Sequence, residues 1–167
     1  MALIPVESGY SHLARRWNYD VFLSYRAADS VRNFADHLYA ALLRKGVLIF
    51  RDDETLEKGN TTTRPELSEA IEQSRIAIVI LSENYASSTW CLYDLAKIMG
   101  CQKEIGQRVF PVFYYIDPSD VRHQKGSFAM AFTKHEERFK ENLEKVQLWR
   151  AALTEVANLT GWHLRDR

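Results

Sequence analysis

The feature that most constrains the fold is a run of six apolar residues at positions 76–81. An unbroken run of this length is typical of a strand buried on both faces, as in a parallel sheet with helices packed on each side. Two parallel strands cannot be joined by a tight hairpin, because the chain must cross the sheet, usually through a helix, before the next strand begins. The run therefore predicts an α/β domain in which strands and helices alternate.

The rest of the chain supplies this alternation. Apolar runs predict strands at 19–25, 47–50, 76–81, 109–116 and 162–164. Helical periodicity, caps and stop residues predict helices from Asp29 or Ser30 to Gly46, from Pro65, from 87–89, within 127–140 and at 141–159. Residues 117–120 have the composition of a turn, and Pro111 is unusual in a strand because it lacks an N–H group. The order of these elements predicts a doubly wound parallel sheet.

Length and composition indicate one domain of ordinary globular type. The 167 residues suffice for a sizeable core, and 22 acidic and 22 basic residues leave no net charge. No overall field therefore favours nucleic acid or an anionic membrane. Cys91 and Cys101 are predicted to be free thiols in a reducing compartment. No apolar run approaches the length of a membrane span; residues 1–16 are predicted to be a disordered tail, and 17–167 the folded domain.

The stretch 87–99 is the strongest candidate for a site. Hydroxyl residues at 87–89 can cap a helix, and apolar side chains recur along one face of the helix that follows. Trp90 and Asp94 are four positions apart and share a second face, at the end of a strand where ligands of open α/β folds bind. The alternative is structural: Trp90 would belong to the core, and Asp94 would be a first-turn carboxylate that the helix dipole favours.

A second candidate is the connection 51–64. It is polar, contains one glycine and is longer than the roughly two to six residues that are typical between a strand and a helix. Long loops of this kind are usually functional or mobile. Lys58 and Arg64 within it are either phosphate contacts or simply solvated loop residues.

Several motifs, in order from about residue 18 to 164, resemble the plant branch of the TIR (Toll/interleukin-1 receptor) domain family. They are residues 19–26, 52–59, 65–74, 81–88, 90–92, 113–122 and 126–128. The resemblance is to N-terminal domains of plant intracellular immune receptors that carry nucleotide-binding and leucine-rich-repeat regions. It implies a flavodoxin-like fold with five parallel strands. It also implies a defence signalling domain that associates with itself and with other TIR domains in the cytoplasm or the nucleus.

The resemblance also implies chemistry. An assembled TIR domain of this kind cleaves its substrate, NAD⁺ or NADP⁺, at the nicotinamide–ribose bond, and needs no cofactor or metal. Asp94 stands at the family's catalytic glutamate position and Trp90 at its stacking position. Substrate contacts are implied for Ser24, Arg26, Lys58, Arg64 and Cys91. Some members are credited with cyclic-nucleotide synthesis from nucleic acid through the cysteine after the tryptophan, but the neutral net charge gives this little support.

Three departures from the family pattern concern this site. Asp94 keeps the charge of glutamate but is one methylene shorter, and a misplacement of roughly 1 Å can cost about a hundredfold in rate. Ala27 and Ala28 replace a glycine and an acid, and the loop before Pro65 is one residue longer than usual. Two functions are therefore compatible with the sequence. One is a weak NAD(P)⁺ nucleosidase that depends on oligomerisation, and the other is a catalytically silent module that signals by TIR–TIR assembly.

Self-association is implied at two surfaces. The family's first-helix interface corresponds to Asp36 and His37, although the pattern at His37 also suits a histidine satisfied within the core. The second surface corresponds to Arg122, Lys125, Gly126 and Gly161. For the two glycines the alternative role is backbone geometry, which is compatible with close approach between chains.

Overall fold

The computed structural model describes residues 17–53 and 64–165, which are built around a sheet of five parallel strands. The strands are β1 (Tyr19–Tyr25), β2 (Ile49–Asp53), β3 (Ser74–Leu81), β4 (Arg108–Tyr114) and β5 (Trp162–Leu164). Their order across the sheet is β2-β1-β3-β4-β5. This order confirms the predicted doubly wound sheet of five parallel strands. The predicted tail at 1–16 lies outside the described residues, as does Lys58.

Helices connect the strands. They are α1 (Asp29–Arg44), α2 (Arg64–Glu72), α3 (Thr89–Ile105), α4 (Pro118–His123), α5 (Ser127–Arg138) and α6 (Leu143–Ala157), with a 3₁₀ turn at Tyr85–Ser87. In the part of the chain that the structure describes, no helix combines the length and the apolar character needed to cross a membrane.

The bounds predicted for β2 and the turn predicted at 117–120 were wrong, for reasons that the structure makes clear. β2 begins at Ile49 rather than at 47 and extends to Asp53, because residues 51–53 continue the ladder with residues 23–25 of β1. Residues 117–120 are more than a turn. Asp117 accepts a 2.8 Å hydrogen bond from the backbone N–H of Ser119 and caps α4, with Pro118 at the first helical position.

β4 tolerates a proline although it lies inside the sheet. It begins at Arg108 and ends at Tyr114, two residues before the predicted end. On one side Pro111 is in register with Val79 of β3, and on the other side β5 pairs only with residues 112–114. A Cβ added at Gly161, just before β5, would lie 2.1 Å from the Pro111 carbonyl oxygen. The missing side chain at 161 therefore lets the chain enter β5 beside the proline.

Side chains of β3 alternate between two hydrophobic clusters, as its unbroken apolar run predicts. Ala77, Val79 and Leu81 belong to the larger cluster, which residues of α2 to α6 cover. Ile78 and Ile80 belong to the smaller cluster, on which α1 is the only described helix to pack. β1 therefore leads into α1 on one face, whereas its neighbour β3 leads into α3 on the other. Connections that diverge in this way open a crevice at the carboxyl ends of the strands, where ligands bind in folds of this kind.

Candidate functional site

α3 starts with a side-chain cap, as the hydroxyl cluster at 87–89 predicts. Ser88 Oγ accepts a 3.1 Å hydrogen bond from the backbone N–H of Cys91, and Thr89 is the first helical residue. Ser88 is itself buried, so the cap is shielded from water. The cap satisfies one of the backbone donors that a helix leaves free at its start. The local sequence therefore fixes where α3 begins.

A buried hydrogen-bond network ties this helix start to the end of β1. The Tyr85 hydroxyl donates to the backbone carbonyl of Cys91 at 3.2 Å. It lies 2.9 Å from Ser24 Oγ, which is left to donate to it. Ser24, Tyr85 and Cys91 are each at most 1% exposed, and polar groups at such depth are costly to leave unpaired. The Ser24–Tyr85–Cys91 network therefore holds the first turn of α3 against β1.

Asp94 follows in the second turn of α3 and is completely buried. The alternative of a first-turn carboxylate on the helix dipole is therefore wrong. Trp90 is half-buried and packs against the larger hydrophobic cluster, as the structural alternative expects. A buried carboxylate is costly unless it is paired, and Asp94 does take part in a polar or electrostatic interaction. The indole and the carboxylate thus both lie on the side of α3 that faces the protein.

Tyr93, between these two residues, ties α3 to α6 instead. Its ring meets the Trp149 ring edge-on with 5.3 Å between the centroids. Its hydroxyl accepts a 2.6 Å hydrogen bond from Lys145 Nζ, which also lies 5.1 Å from the centroid of the Tyr93 ring. A cation at that distance is attracted by the ring electrons. Tyr93 therefore anchors the outer side of the same helix turn that carries Asp94.

The structure places some of the predicted substrate contacts and not others. Ser24 and Cys91 are brought together through Tyr85, and Arg26 is partly buried in the loop after β1. Arg64 begins α2, but the placement of its side chain and the whole of Lys58 lie outside what the structure describes. Within residues 17–53 and 64–165, no group of three or more His, Cys, Asp and Glu side chains is placed to hold a metal ion.

Tyr85 is the residue of this region that sequence reasoning missed. It falls inside the motif at 81–88, but nothing in the local pattern indicates that its hydroxyl bridges a strand and a helix. Its one signal is its position between a buried strand and a capped helix. An aromatic residue at such a junction often belongs to the core, and Tyr85 is fully buried as well as hydrogen-bonded.

The two predicted interface residues on α1 have different surroundings. Asp36 pairs with Arg51 of β2 at 2.5 Å, and the same guanidinium donates to the Tyr25 hydroxyl. Burial disfavours the charged form of Arg51, but the hydrogen bonds to Asp36 and Tyr25 outweigh it and raise its pKa. His37 is exposed, so its assignment to the core is wrong, and its Nδ1 lies 2.8 Å from the Asn33 carbonyl oxygen. α1 thus presents an imidazole beside a carboxylate that is already neutralised within the chain.

The second predicted interface mixes structural and exposed residues. Arg122 donates a 3.0 Å hydrogen bond to the Ala157 carbonyl oxygen at the end of α6, where a positive charge is favoured. Lys125 and Gly126 are exposed, and Gly126 has a φ of 61°, which favours glycine. Gly161 is required by its contact with β4. Both glycines therefore have a backbone role, and association through them stays a prediction.

A cleft of about 480 Å³ opens at the carboxyl edge of the sheet, where the connections of β1 and β3 diverge. The described residues that line this switch-point cleft are Ala28, Ser30, Val31, Ser82, Glu83, Asn84, Tyr114 and Tyr115. Its walls are the β1–α1 loop with the first turn of α1, the β3–α3 loop and the end of β4. Trp90 and Asp94 are not among these lining residues. The cleft and the Asp94 region are therefore separate features at the carboxyl edge of the sheet.

Comparisons with known proteins agree with this architecture. The family model for the TIR domain matches residues 18–167. Disease resistance protein RPV1 of Vitis rotundifolia is 54% identical over 154 residues, and TMV resistance protein N of Nicotiana glutinosa is 52% identical over 151 residues. These alignments cover 92% and 90% of the chain but only 11% and 13% of the two relatives. The chain thus corresponds to a small part of each of these proteins.

A solved structure gives the same result. The TIR domains in the activated Roq1 resistosome, which directly recognises the pathogen effector XopQ, match with a TM-score of 0.79 and 48% sequence identity. The match covers 88% of each chain. Because the family model spans nearly the whole sequence, and the fold agrees with that of a TIR domain at this level of identity, the protein belongs to the TIR domain family.

Proposed function

We propose that this chain is the signalling domain of a plant immune receptor, which self-associates and hydrolyses NAD⁺ or NADP⁺ to trigger defence and cell death. Its likeness to two plant resistance proteins supports the defence role. Its likeness to the TIR domains of an activated resistosome supports assembly with other TIR domains. On this proposal the domain acts in the cytoplasm or the nucleus.

The observation that carries the catalytic part is the fixed start of α3. The Ser24–Tyr85–Cys91 network holds the first turn of the helix against β1, and Asp94 and Trp90 face the protein from the same two turns. Catalytic groups need such support, because a small error in position lowers the rate steeply. The network therefore acts through position, and Asp94 and Trp90 are the groups proposed to meet the substrate.

The proposed reaction breaks the bond between ribose C1′ and the nicotinamide nitrogen. Nicotinamide leaves as a neutral molecule with the bonding electrons, and water then adds to C1′ and loses a proton. A carboxylate beside C1′ stabilises the positive charge that develops on the ribose, as carboxylates do at glycosidic centres. Asp94 is proposed in this role, with Trp90 stacked on a base of the substrate.

The complete burial of Asp94 adds a condition to this proposal. Substrate can reach the carboxylate only after the residues around it have moved apart. We expect assembly to supply the energy for that movement, so that nicotinamide release per chain rises with protein concentration. The shorter reach of aspartate should keep the rate low even in the assembled state.

The same burial favours a second candidate function, a catalytically silent TIR module that signals only by assembly. A carboxylate that is shorter than glutamate and has no solvent contact is poorly placed to meet a substrate. By contrast, His37 on α1 and Lys125 after α4 are exposed and accessible to another chain. In this case function would depend on these surfaces and not on Asp94.

Nicotinamide release from NAD⁺ and NADP⁺, measured chromatographically over a range of protein concentrations, separates the two functions. We expect slow release by the natural chain, release up to about a hundredfold faster by Asp94→Glu, and none by Asp94→Asn, which removes the charge at nearly constant size. Glu104→Gln changes an exposed carboxylate on the same helix and should leave the rate unchanged. No release by any of these proteins, at unchanged unfolding temperature, would exclude hydrolysis and favour the silent module.

Assembly is tested separately at α1. His37→Ala should lower the assembled fraction measured by light scattering, whereas Lys134→Ala, which changes an exposed residue on α5 outside both predicted surfaces, should not. Equal assembly of the two variants would contradict an interface at α1. Gly161→Arg is not a suitable test of the second surface, because any side chain there meets Pro111 and would displace β5.

A further inference from the structure

A buried histidine of α5 has no part in the proposed hydrolysis. His135 is only 5% exposed, and its Nε2 lies 2.7 Å from the backbone carbonyl oxygen of Ala86. A carbonyl oxygen can only accept a hydrogen bond, so Nε2 carries the hydrogen and donates it. Ala86 is completely buried, and a buried carbonyl group is costly to leave unpaired. The imidazole therefore satisfies a backbone group that is shielded from water.

Ala86 is the middle residue of the 3₁₀ turn that leads into α3. On one side of it is Tyr85, whose hydroxyl joins β1 to the helix. On the other side is the Ser88 cap, whose backbone N–H closes the turn with a 3.2 Å hydrogen bond to the Tyr85 carbonyl oxygen. A hydrogen bond to the middle of this turn therefore holds both the Tyr85 hydroxyl and the cap of α3 in place.

α5 also bonds to the same loop at a second point. Ser127, its first residue, donates a 2.9 Å hydrogen bond to the Glu83 carbonyl oxygen. This second contact is exposed, so water can replace it, whereas the buried contact of His135 has no such substitute. The attachment of the loop to α5 therefore depends mainly on the imidazole.

Aromatic rings fix the orientation of the imidazole. The rings of Phe132 and Trp149 meet it edge-on, with 5.5 Å and 5.4 Å between the centroids. Such contacts are directional and add a small stabilisation. Trp149 of α6 in turn meets the Tyr93 ring on α3. His135 is thus connected to α3 in two ways, through Ala86 before the helix and through Trp149 at its second turn.

We propose that His135 is a positioning residue for the Asp94 region and acts through the Ala86 carbonyl group. The imidazole N–H holds the turn before α3, and that turn places the Tyr85 hydroxyl and the Ser88 cap. These two groups fix the start of the helix that carries Asp94. The expected effect on turnover rests on the proposed hydrolysis, whereas the effect on the helix start does not.

Two substitutions separate the hydrogen bond from the shape of the side chain. His135→Gln keeps an N–H donor with a similar reach, and His135→Leu fills a similar volume without any donor. Thr133→Ala is the matched control on the same helix. Thr133 is exposed, and its hydroxyl bonds to the Ala129 carbonyl oxygen within α5.

Backbone amide hydrogen exchange, followed by NMR, measures how firmly the start of α3 is held. The N–H groups of Cys91 and Leu92 bond to the side chain and the carbonyl group of Ser88. In His135→Leu they should exchange about tenfold faster, the factor expected for the loss of one buried hydrogen bond. His135→Gln should restore most of the protection, and Thr133→Ala should leave it unchanged. Unchanged exchange in His135→Leu, or no rescue by glutamine, would overturn the proposal.

Turnover gives a second measurement. In chains assembled to the same degree, His135→Leu should lower kcat for nicotinamide release about tenfold and leave KM unchanged, because a displaced catalytic group affects the transition state. His135→Gln should recover most of kcat. A change in KM alone, or an unchanged kcat, would contradict a positioning role.

The natural chain offers a test that needs no stable leucine variant. In protein labelled with ¹⁵N-histidine, one imidazole should carry a hydrogen on Nε2 that exchanges slowly enough with water to be observed by NMR. His135→Gln should lack this signal, which assigns it. Absence of such a signal from the natural chain would overturn the proposal.

The outcomes separate this proposal from the hydrolysis. If the natural chain and its variants release no nicotinamide, the hydrolysis fails, and the exchange rates and the imidazole signal still decide the role of His135. If the natural chain releases nicotinamide but His135→Leu changes neither exchange nor kcat, the positioning role fails and the hydrolysis stands.

Discussion

α1 and α3 begin at the same edge of the sheet, yet their first turns are built in opposite ways. At α3, Ser88 caps the backbone, and the Tyr85 hydroxyl bonds both to that backbone and to Ser24 of β1, all in buried surroundings. At α1, Ala28 stands at the cap position, where its side chain cannot cap the helix, and it lines the open switch-point cleft. A capped and buried helix start holds its backbone groups in one geometry, whereas an uncapped start leaves its first backbone N–H groups without a side-chain cap. The two helices that begin at this edge of the sheet therefore differ in how firmly their first turns are held.

The largest expected effect on stability comes from removing the buried hydrogen bonds at the start of α3. Tyr85→Phe removes a hydroxyl that bonds two buried groups, and should lower the free energy of unfolding by about 2 kcal/mol in urea titrations. Ser24→Ala removes the other end of one bond. The double variant should be less destabilised than the sum of the two single variants, because each single change leaves a partner unpaired. Strictly additive losses would show that the network does not act as a unit.

A smaller effect should follow from exchanging the caps. Ser88→Ala removes the cap of α3 and should cost about 1 kcal/mol, whereas Ala28→Ser gives α1 a cap and should add up to about 1 kcal/mol. Thermal unfolding of both variants measures the two changes. If Ala28→Ser does not raise the unfolding temperature, the backbone N–H groups in the first turn of α1 already have partners. The two helix starts would then not differ in stability as described.

The smallest effect concerns the exposed side of α3, where Lys97 pairs with Glu72 of α2. The hydrogen bond to Glu72 outweighs partial burial and raises the pKa of Lys97 above its ordinary value of 10.5. Because the folded-state pKa is the higher one, the stabilisation is complete below pH 10.5 and is lost as the pH rises through the folded value. It should stay below about 1 kcal/mol, as is usual for exposed pairs.

The stability difference between the natural chain and Lys97→Met, measured by urea unfolding, should therefore be small and constant from about pH 7 to about pH 10 and should decline above that range. A difference as large as that expected for Tyr85→Phe would mean that exposed contacts also fix α3. The buried start would then no longer be what distinguishes this helix.

The sequence predicted those parts of the molecule that depend on neighbours along the chain. The apolar run at 76–81 led to the parallel sheet, and the hydroxyls at 87–89 led to the cap of α3. Features that depend on distant contacts were not predictable in this way. The pairing of Asp36 with Arg51 depends on how α1 lies against β2, and the positive φ of Tyr115 depends on a hydrogen bond that its backbone N–H donates to β5. The burial of Asp94 likewise depends on the whole assembly of elements around α3.

The Ser24–Tyr85 hydrogen bond joins residues 61 positions apart, and this separation has a kinetic consequence. Such a contact can form only after the central strands have paired, since closing a long loop costs entropy that the first contacts must overcome. A bond that forms late in folding mainly slows the reverse step, so its loss should accelerate unfolding far more than it retards folding. The hydroxyl of Tyr85 therefore lengthens the lifetime of each folded molecule, and with it the time for which the edge of the sheet stays assembled.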